Sequence, residues 1–199
     1  MTDESLMAAY QRGDLQAFAL LVERHERPLW NFLRRFVNDV ALAEDLLQET
    51  FMRVVKSAAS WKAQAKFSTW LYTIARNLCI DQQRRNALRS TSSLDAAARA
   101  ADGPDSAPPL GERIAGDDRG GEAAAITQQL AAQIDAAIAA LPTAQREVFL
   151  MREVLGLPFA EIATALGENV ATVKSRMRYA LTHLRDALAE NEPSGGEAA

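Results

Sequence analysis

Apolar residues recur along this chain every three or four positions, the period of helices that pack by one face. No convincing strand alternation interrupts the pattern, so it predicts an all-α protein. A short first helix ends at Gly13, and Asp14 caps a second that runs to about Glu26. Pro28 suits the first turn of a third helix carrying Leu29, Phe32, Leu33 and Phe36, which Asn38 and Asp39 break. The fourth, about Val40–Ala58, has the clearest period: Ala43, Leu46, Leu47, Phe51, Val54, Val55 and Ala58. A fifth starts near Phe67 and carries Trp70, Leu71, Ile74, Ala75 and Leu78 toward Arg89. These faces can close one bundle.

The pattern lapses from about Thr91 to Gly121, where Gly103, Pro104, Pro108, Pro109 and Gly111 interrupt any helix. Such a stretch buries too little apolar surface to fix itself, which predicts a flexible acidic linker over 91–122. It joins a first helical domain, 1–90, to a second, 123–190; residues 191–199 form a frayed tail. In the second domain a helix reaches Ala140, and Pro142 opens another that Gly156 stops. Phe159, Ile162, Ala163 and Leu166 then mark a short helix ended by Gly167. Asn169 caps the last helix, with Val170, Val173, Met177, Ala180 and Leu184 on its apolar stripe. That stripe leaves Thr172, Lys174, Ser175, Arg176, Arg178, Tyr179 and His183 pointing outward. Helix, glycine turn and basic helix make a helix-turn-helix, whose second helix enters the DNA major groove. An ordinary helical hairpin with a solvated basic face is the plain alternative.

Charge changes the picture through its distribution. The net charge is −4, yet Met52–Arg89 holds eight basic residues and one acid, Asp81. Lys174–Arg185 holds four basic residues and no acid, so two patches offer what a phosphate backbone attracts. The first patch interleaves Trp61, Phe67, Trp70 and Tyr72 with Lys62, Lys66, Arg76, Arg84 and Arg85. Rings beside cations suit single-stranded DNA, where bases stack and phosphates pair. Phe67, Trp70 and Ile74 share a face, which assigns Trp70 to the core and leaves Trp61 the freer ring. Asn77 and Arg76 can reach base edges or phosphates, and Arg84 and Arg85 phosphate.

Other chemistry is sparse. The single Cys79 rules out an internal disulfide and sits on an apolar face, as a small buried hydrophobe would. His25 and His183 lack metal-ligand spacing, and no phosphate loop or Ser/His/Asp arrangement points to an enzyme. The dispersed carboxylates read as solvated faces. With no secretory start and no apolar run long enough to span a bilayer, a cytoplasmic location is expected.

The two halves together resemble a bacterial sigma-70 family sigma factor of the extracytoplasmic-function (ECF) group. The first half carries Asp45-Leu46-Leu47-Gln48-Glu49-Thr50-Phe51, Phe67-Ser68-Thr69-Trp70-Leu71-Tyr72-Thr73-Ile74-Ala75-Arg76-Asn77, Asp81 and Arg84-Arg85. The second carries Leu141-Pro142, Arg146-Glu147-Val148-Phe149, Glu161-Ile162-Ala163 and Thr172-Val173-Lys174-Ser175-Arg176. Val170-Ala171 departs from the glycine the family often has before that last run. The resemblance implies a region-2 bundle and a region-4 helix-turn-helix, and a transcription initiation factor without a cofactor.

Its implied partners are core RNA polymerase, promoter DNA and a cognate anti-sigma factor that is often anchored in the membrane. By the same resemblance Glu44, Asp45, Gln48 and Glu49 dock on core polymerase, a face that position alone equally allows to be merely solvated. Trp61, Lys62, Lys66, Arg76, Asn77, Arg84 and Arg85 would meet the promoter −10 element. Thr172, Lys174, Ser175, Arg176, Arg178 and Tyr179 would meet the −35 element, with Arg176 expected to read a base and Arg178 a phosphate. The linker would thread a basic channel of the polymerase or act as a plain tether. A stand-alone helix-turn-helix regulator with a helical oligomerisation domain accounts for the second half but not for the first.

Overall fold

The computed structural model describes residues 1–63, 65–93 and 121–189. The described residues form eight α-helices and one 3-10 turn, without a strand. The first half comprises α1 (Asp3–Gln11), α2 (Leu15–Val37), α3 (Val40–Ser57), the 3-10 turn Ala58–Ser60 and α4 (Phe67–Ser93). The second comprises α5 (Gly121–Ala140), α6 (Thr143–Glu153), α7 (Phe159–Leu166) and α8 (Val170–Ala189). The expected linker, apart from its helical ends, and the expected tail lie outside the described residues.

Local chemistry sets the helix ends. The Asp14 carboxylate accepts from the amides of Gln16 and Ala17 at 3.0 and 3.2 Å, and that of Asp39 from Leu42 at 3.0 Å. Asn38 ends α2 in the left-handed region at φ 55°, which asparagine tolerates better than most residues. Gly167 turns α7 into α8 at φ 66°, and the Asn169 side chain caps α8 by accepting from the Thr172 amide at 2.7 Å.

Pro28 does not start a helix. It lies inside α2, which is continuous where two helices were expected. The cause is tertiary: Leu21, His25, Leu29, Phe32, Leu33 and Phe36 form one buried stripe through the proline. Packing along that stripe outweighs one lost backbone hydrogen bond and the local steric cost.

The small helix α1 fixes the start of α4. Glu4 accepts from the Phe67 amide at 3.1 Å, capping α4 from another helix. Asp3 meets His25 Nε2 at 2.7 Å and Arg24 at 2.9 Å, while His25 Nδ1 lies 3.2 Å from the Tyr72 hydroxyl. Burial pushes the Asp3 carboxyl up, but the hydrogen bonds and charges of Arg24 and His25 outweigh it and hold the carboxyl below its ordinary value. Burial, aided by the Asp3 charge, pushes the Tyr72 phenol up to about 12. Cys79 is buried as expected, its thiol likewise raised to about 12 by burial first and the Glu147 charge second.

The two halves touch. Phe32, Phe36, Phe67 and Leu71 in the first, and Val148, Met151, Ile162 and Val173 in the second, belong to one connected apolar cluster. At the junction Arg146 donates to the Phe36 carbonyl at 3.1 Å and to the carbonyls of Leu141 (3.0 Å) and Ala139.

Candidate polymerase and nucleic-acid interfaces

The outer face of α3 carries Glu44, Asp45 and Gln48 in the open, with Glu49 half-buried and paired to Arg53 at 2.9 Å. Beside that polar row runs an apolar groove between α2 and α3, lined by Phe18, Val22, Leu47, Phe51, Met52 and Val55. The sequence reading missed it by assigning Leu47, Phe51 and Val55 to the core. Only Ala43, Leu46, Thr50 and Val54 of α3 are buried, whereas Met52 and Val55 are 52% and 44% exposed. A signal was present: Leu46-Leu47 and Val54-Val55 are neighbours about 100° apart, so a single contact face cannot take both members of each pair.

The aromatic-basic segment divides unequally. Trp61 is not the freer ring: it is 8% exposed and packs edge-on to Phe67 and tilted against Trp70, with centroids 6.4 and 6.3 Å away. Gln11 holds that loop down by donating to the carbonyls of Ala58 and Trp61 at 2.8 and 2.9 Å. Trp70 is only half-buried, the reverse of the expected order. Lys62, Asn77, Arg84 and Arg85 are exposed on the first domain. Lys66, also exposed, and Arg76, half-buried, each pair with an acid of the second half. Lys66 Nζ lies 2.6 Å from Glu161, and Arg76 3.2 Å from Glu147.

In the helix-turn-helix, Val173, Met177, Ala180 and Leu184 bury one side of α8. Lys174, Arg178 and Tyr179 stand exposed, with Thr172 and Ser175 half-exposed. The Arg178 guanidinium lies 5.3 Å from the Tyr179 ring centroid. Arg176 differs from Arg178, although the sequence pointed both outward. It sits on the flank of α8, ion-paired with Glu168 at 2.6 Å across the turn. Glu147, read from sequence as part of a solvated face, is 3% exposed.

An all-helical first half with an exposed polar row on α3, followed by a basic helix-turn-helix, defines the class of two-part helical DNA-binding proteins. Comparison with known proteins agrees. Residues 21–89 match the family model for sigma-70 region 2, and residues 131–184 that for sigma-70 region 4. The RNA polymerase sigma-H factor of Pseudomonas aeruginosa is 31% identical over 186 residues, covering 94% of this chain and 93% of that protein. The ECF sigma factor SigW of Bacillus subtilis is 32% identical over 178 residues, covering 89% and 92%. Among solved structures, CnrH bound to the cytosolic domain of CnrY superposes with a TM-score of 0.69 at 22% identity, covering 96% and 99% of the two chains. RpoE of Bartonella quintana, in complex with the anti-sigma factor NepR, gives 0.67 at 22% identity, covering 89% and 100%. The chain belongs to the sigma-70 family, in its extracytoplasmic-function group. It is a promoter-specific transcription initiation factor. Among the described residues no helix is long and apolar enough to cross a membrane.

Proposed function

We propose that this sigma factor docks on core RNA polymerase through the outer face of α3 and reads the −10 element with the basic segment around α4. In the same reading the exposed face of α8 reads the −35 element. The observation that carries the docking assignment is the acidic and amide row Glu44, Asp45 and Gln48 beside the α2–α3 groove. Exposed apolar side chains supply area, and the carboxylates supply orientation toward a basic partner. The cognate anti-sigma factor would cover the same groove. Support for such a partner comes from the structurally similar RpoE, solved with the anti-sigma factor NepR, and CnrH, solved with the cytosolic domain of CnrY.

The test is binding of the labelled chain to purified core polymerase by fluorescence anisotropy. Tight binding is expected, and Asp45→Lys with Glu49→Lys should raise Kd about tenfold or more, near 1.4 kcal/mol. Both side chains lie on the outer part of α3, so the fold should survive. No binding by the folded chain, or no effect of the double reversal, would remove the docking assignment.

For the −10 element the exposed cations are Lys62, Lys66, Arg84 and Arg85, with Asn77 also exposed; Lys66 pairs with Glu161 as well. Trp61, as placed here, would serve by supporting the Trp70 ring rather than by stacking on a base. Opening roughly ten base pairs costs on the order of 14 kcal/mol at about 1.4 kcal/mol per step. Two or three captured bases return only about 1–3 kcal/mol each. Melting therefore has to draw on the polymerase, and permanganate footprinting should show no reactive thymines with this chain alone. Melted thymines in the absence of polymerase would contradict this.

A further inference from the structure

Helix α1 precedes the residues that match sigma-70 region 2, yet it is built into the first domain. Its Leu6 and Met7 have no exposed surface, and its Asp3 holds Arg24 and His25 of α2. Two further polar side chains of α1 both reach one loop, the connection from the 3-10 turn to α4. Gln11 Nε2 donates to the carbonyls of Ala58 and Trp61 at 2.8 and 2.9 Å, which engages both hydrogens of its amide. Glu4 accepts from the Phe67 amide at 3.1 Å, where the loop ends and α4 begins. The Glu4 carboxyl is held below its ordinary value first by its own backbone amide and then, against burial, by that of Phe67, so it stays a charged acceptor.

Glu4 and Gln11 stand seven residues apart on α1, about two turns, so they share one side of the helix about 10 Å apart along its axis. The helix therefore lies along the loop as a splint, one side chain at the entry and the other at the exit. The loop carries Trp61, Lys62 and Lys66. Trp61 is buried against the half-buried Trp70, while both lysines are exposed. A connection without regular structure samples many conformations unless something outside it holds it. One that is fixed beforehand loses less freedom when a ligand arrives, and so binds more tightly through the same contacts.

We propose that Glu4 and Gln11 are positioning residues for the −10 strand: α1 holds both ends of the loop that carries Trp61, Lys62 and Lys66, so the loop meets the strand already ordered. The inference rests on assigning that loop to the −10 element. Neither residue touches the strand in this reading. Gln11 sets the path of the backbone into Lys62, and Glu4 sets the first turn of α4, which places Trp70.

The test uses holoenzyme formed from the full chain and core polymerase, with a labelled single-stranded oligonucleotide of the non-template −10 sequence read by anisotropy. Gln11→Ala and Glu4→Ala should each weaken oligonucleotide binding about tenfold. Binding of the chain to core polymerase should change by less than about twofold, because the α3 face lies apart from the loop. Glu4→Gln keeps an oxygen that accepts from the Phe67 amide and should stay within about twofold of wild type. Amide exchange by NMR should be faster at Phe67 in Glu4→Ala than in Glu4→Gln. Unchanged oligonucleotide affinity in both alanine variants, with faster exchange at Phe67, would overturn the positioning role. An equal loss of core-polymerase binding would overturn it as well, by showing a general loosening of the first domain. Gln11 is exposed, so its alanine variant keeps the fold if Glu4→Ala does not. Lys62→Ala separates the inference from the assignment beneath it. Weaker binding with Lys62→Ala but not with the α1 variants removes the positioning role alone. No effect from any of them removes the loop from the −10 surface, and the inference with it.

Discussion

Replacing Phe32 with alanine should cost about 3–5 kcal/mol of folding free energy, the range for truncating a buried aromatic ring. Phe32 has no exposed surface and lies in the C-terminal half of α2, its ring 5.6 Å from that of Phe36. The side chains around it belong to the stripe that keeps α2 continuous past Pro28, so the site has little freedom to collapse. Against a typical total of about 5–15 kcal/mol, that loss takes a large part of the margin. Urea denaturation should show a lower midpoint with an unchanged slope. Leu20→Ala, at a position 41% exposed on the same helix, should stay within about 0.5 kcal/mol. A Phe32→Ala loss below about 1 kcal/mol would mean that α2 does not anchor the first domain, contrary to its burial.

The helices were legible because each carries its own apolar period and its own cap. Asp14, Asp39, Gly167 and Asn169 act locally, within four residues of the groups they serve. What sequence did not disclose depends on partners distant along the chain. Pro28 is a helix breaker in isolation; only the buried stripe on either side of it carries α2 through. Trp61 looked available because its loop has no period, yet Gln11, fifty residues away, ties that loop down. Trp70 follows the core pattern of α4 and remains half-buried, because a wide ring at the edge of a stripe is only partly covered.

The candidate sites divide in the same way. The acidic row on α3 and the basic face of α8 follow from helical geometry alone, and the family resemblance assigned their roles. The acids Asp135, Glu147 and Glu161 resemble any solvated carboxylates until the fold brings cations from the first domain to them. Periodicity tells which side of a helix is buried but not which distant charge it meets.

Arg178→Ala should flatten the preference for one base pair of the −35 element by about 1–3 kcal/mol, roughly 5- to 150-fold. Arg176→Ala should not. The sequence suggested the opposite division, and helix geometry supplies the reason to revise it. Around α8, Arg178 falls about 130° from the centre of the buried row of Val173, Met177, Ala180 and Leu184, on the open side of the helix, whereas Arg176 falls only about 70° from it. Its guanidinium has no carboxylate partner among the described ion pairs, and the neighbouring Tyr179 ring, 53% exposed, limits its conformations. Arg176 points to the flank and holds Glu168, tying α8 to the turn that precedes it. Its removal should lower the melting temperature and weaken all duplexes by the same factor, because it disturbs the placement of the helix rather than a base contact. Competition binding across single-base −35 variants separates the two outcomes. A selective loss with Arg176→Ala and a sequence-blind one with Arg178→Ala would restore the first division. It would also mean that Arg176 exchanges Glu168 for a base when α8 enters the groove.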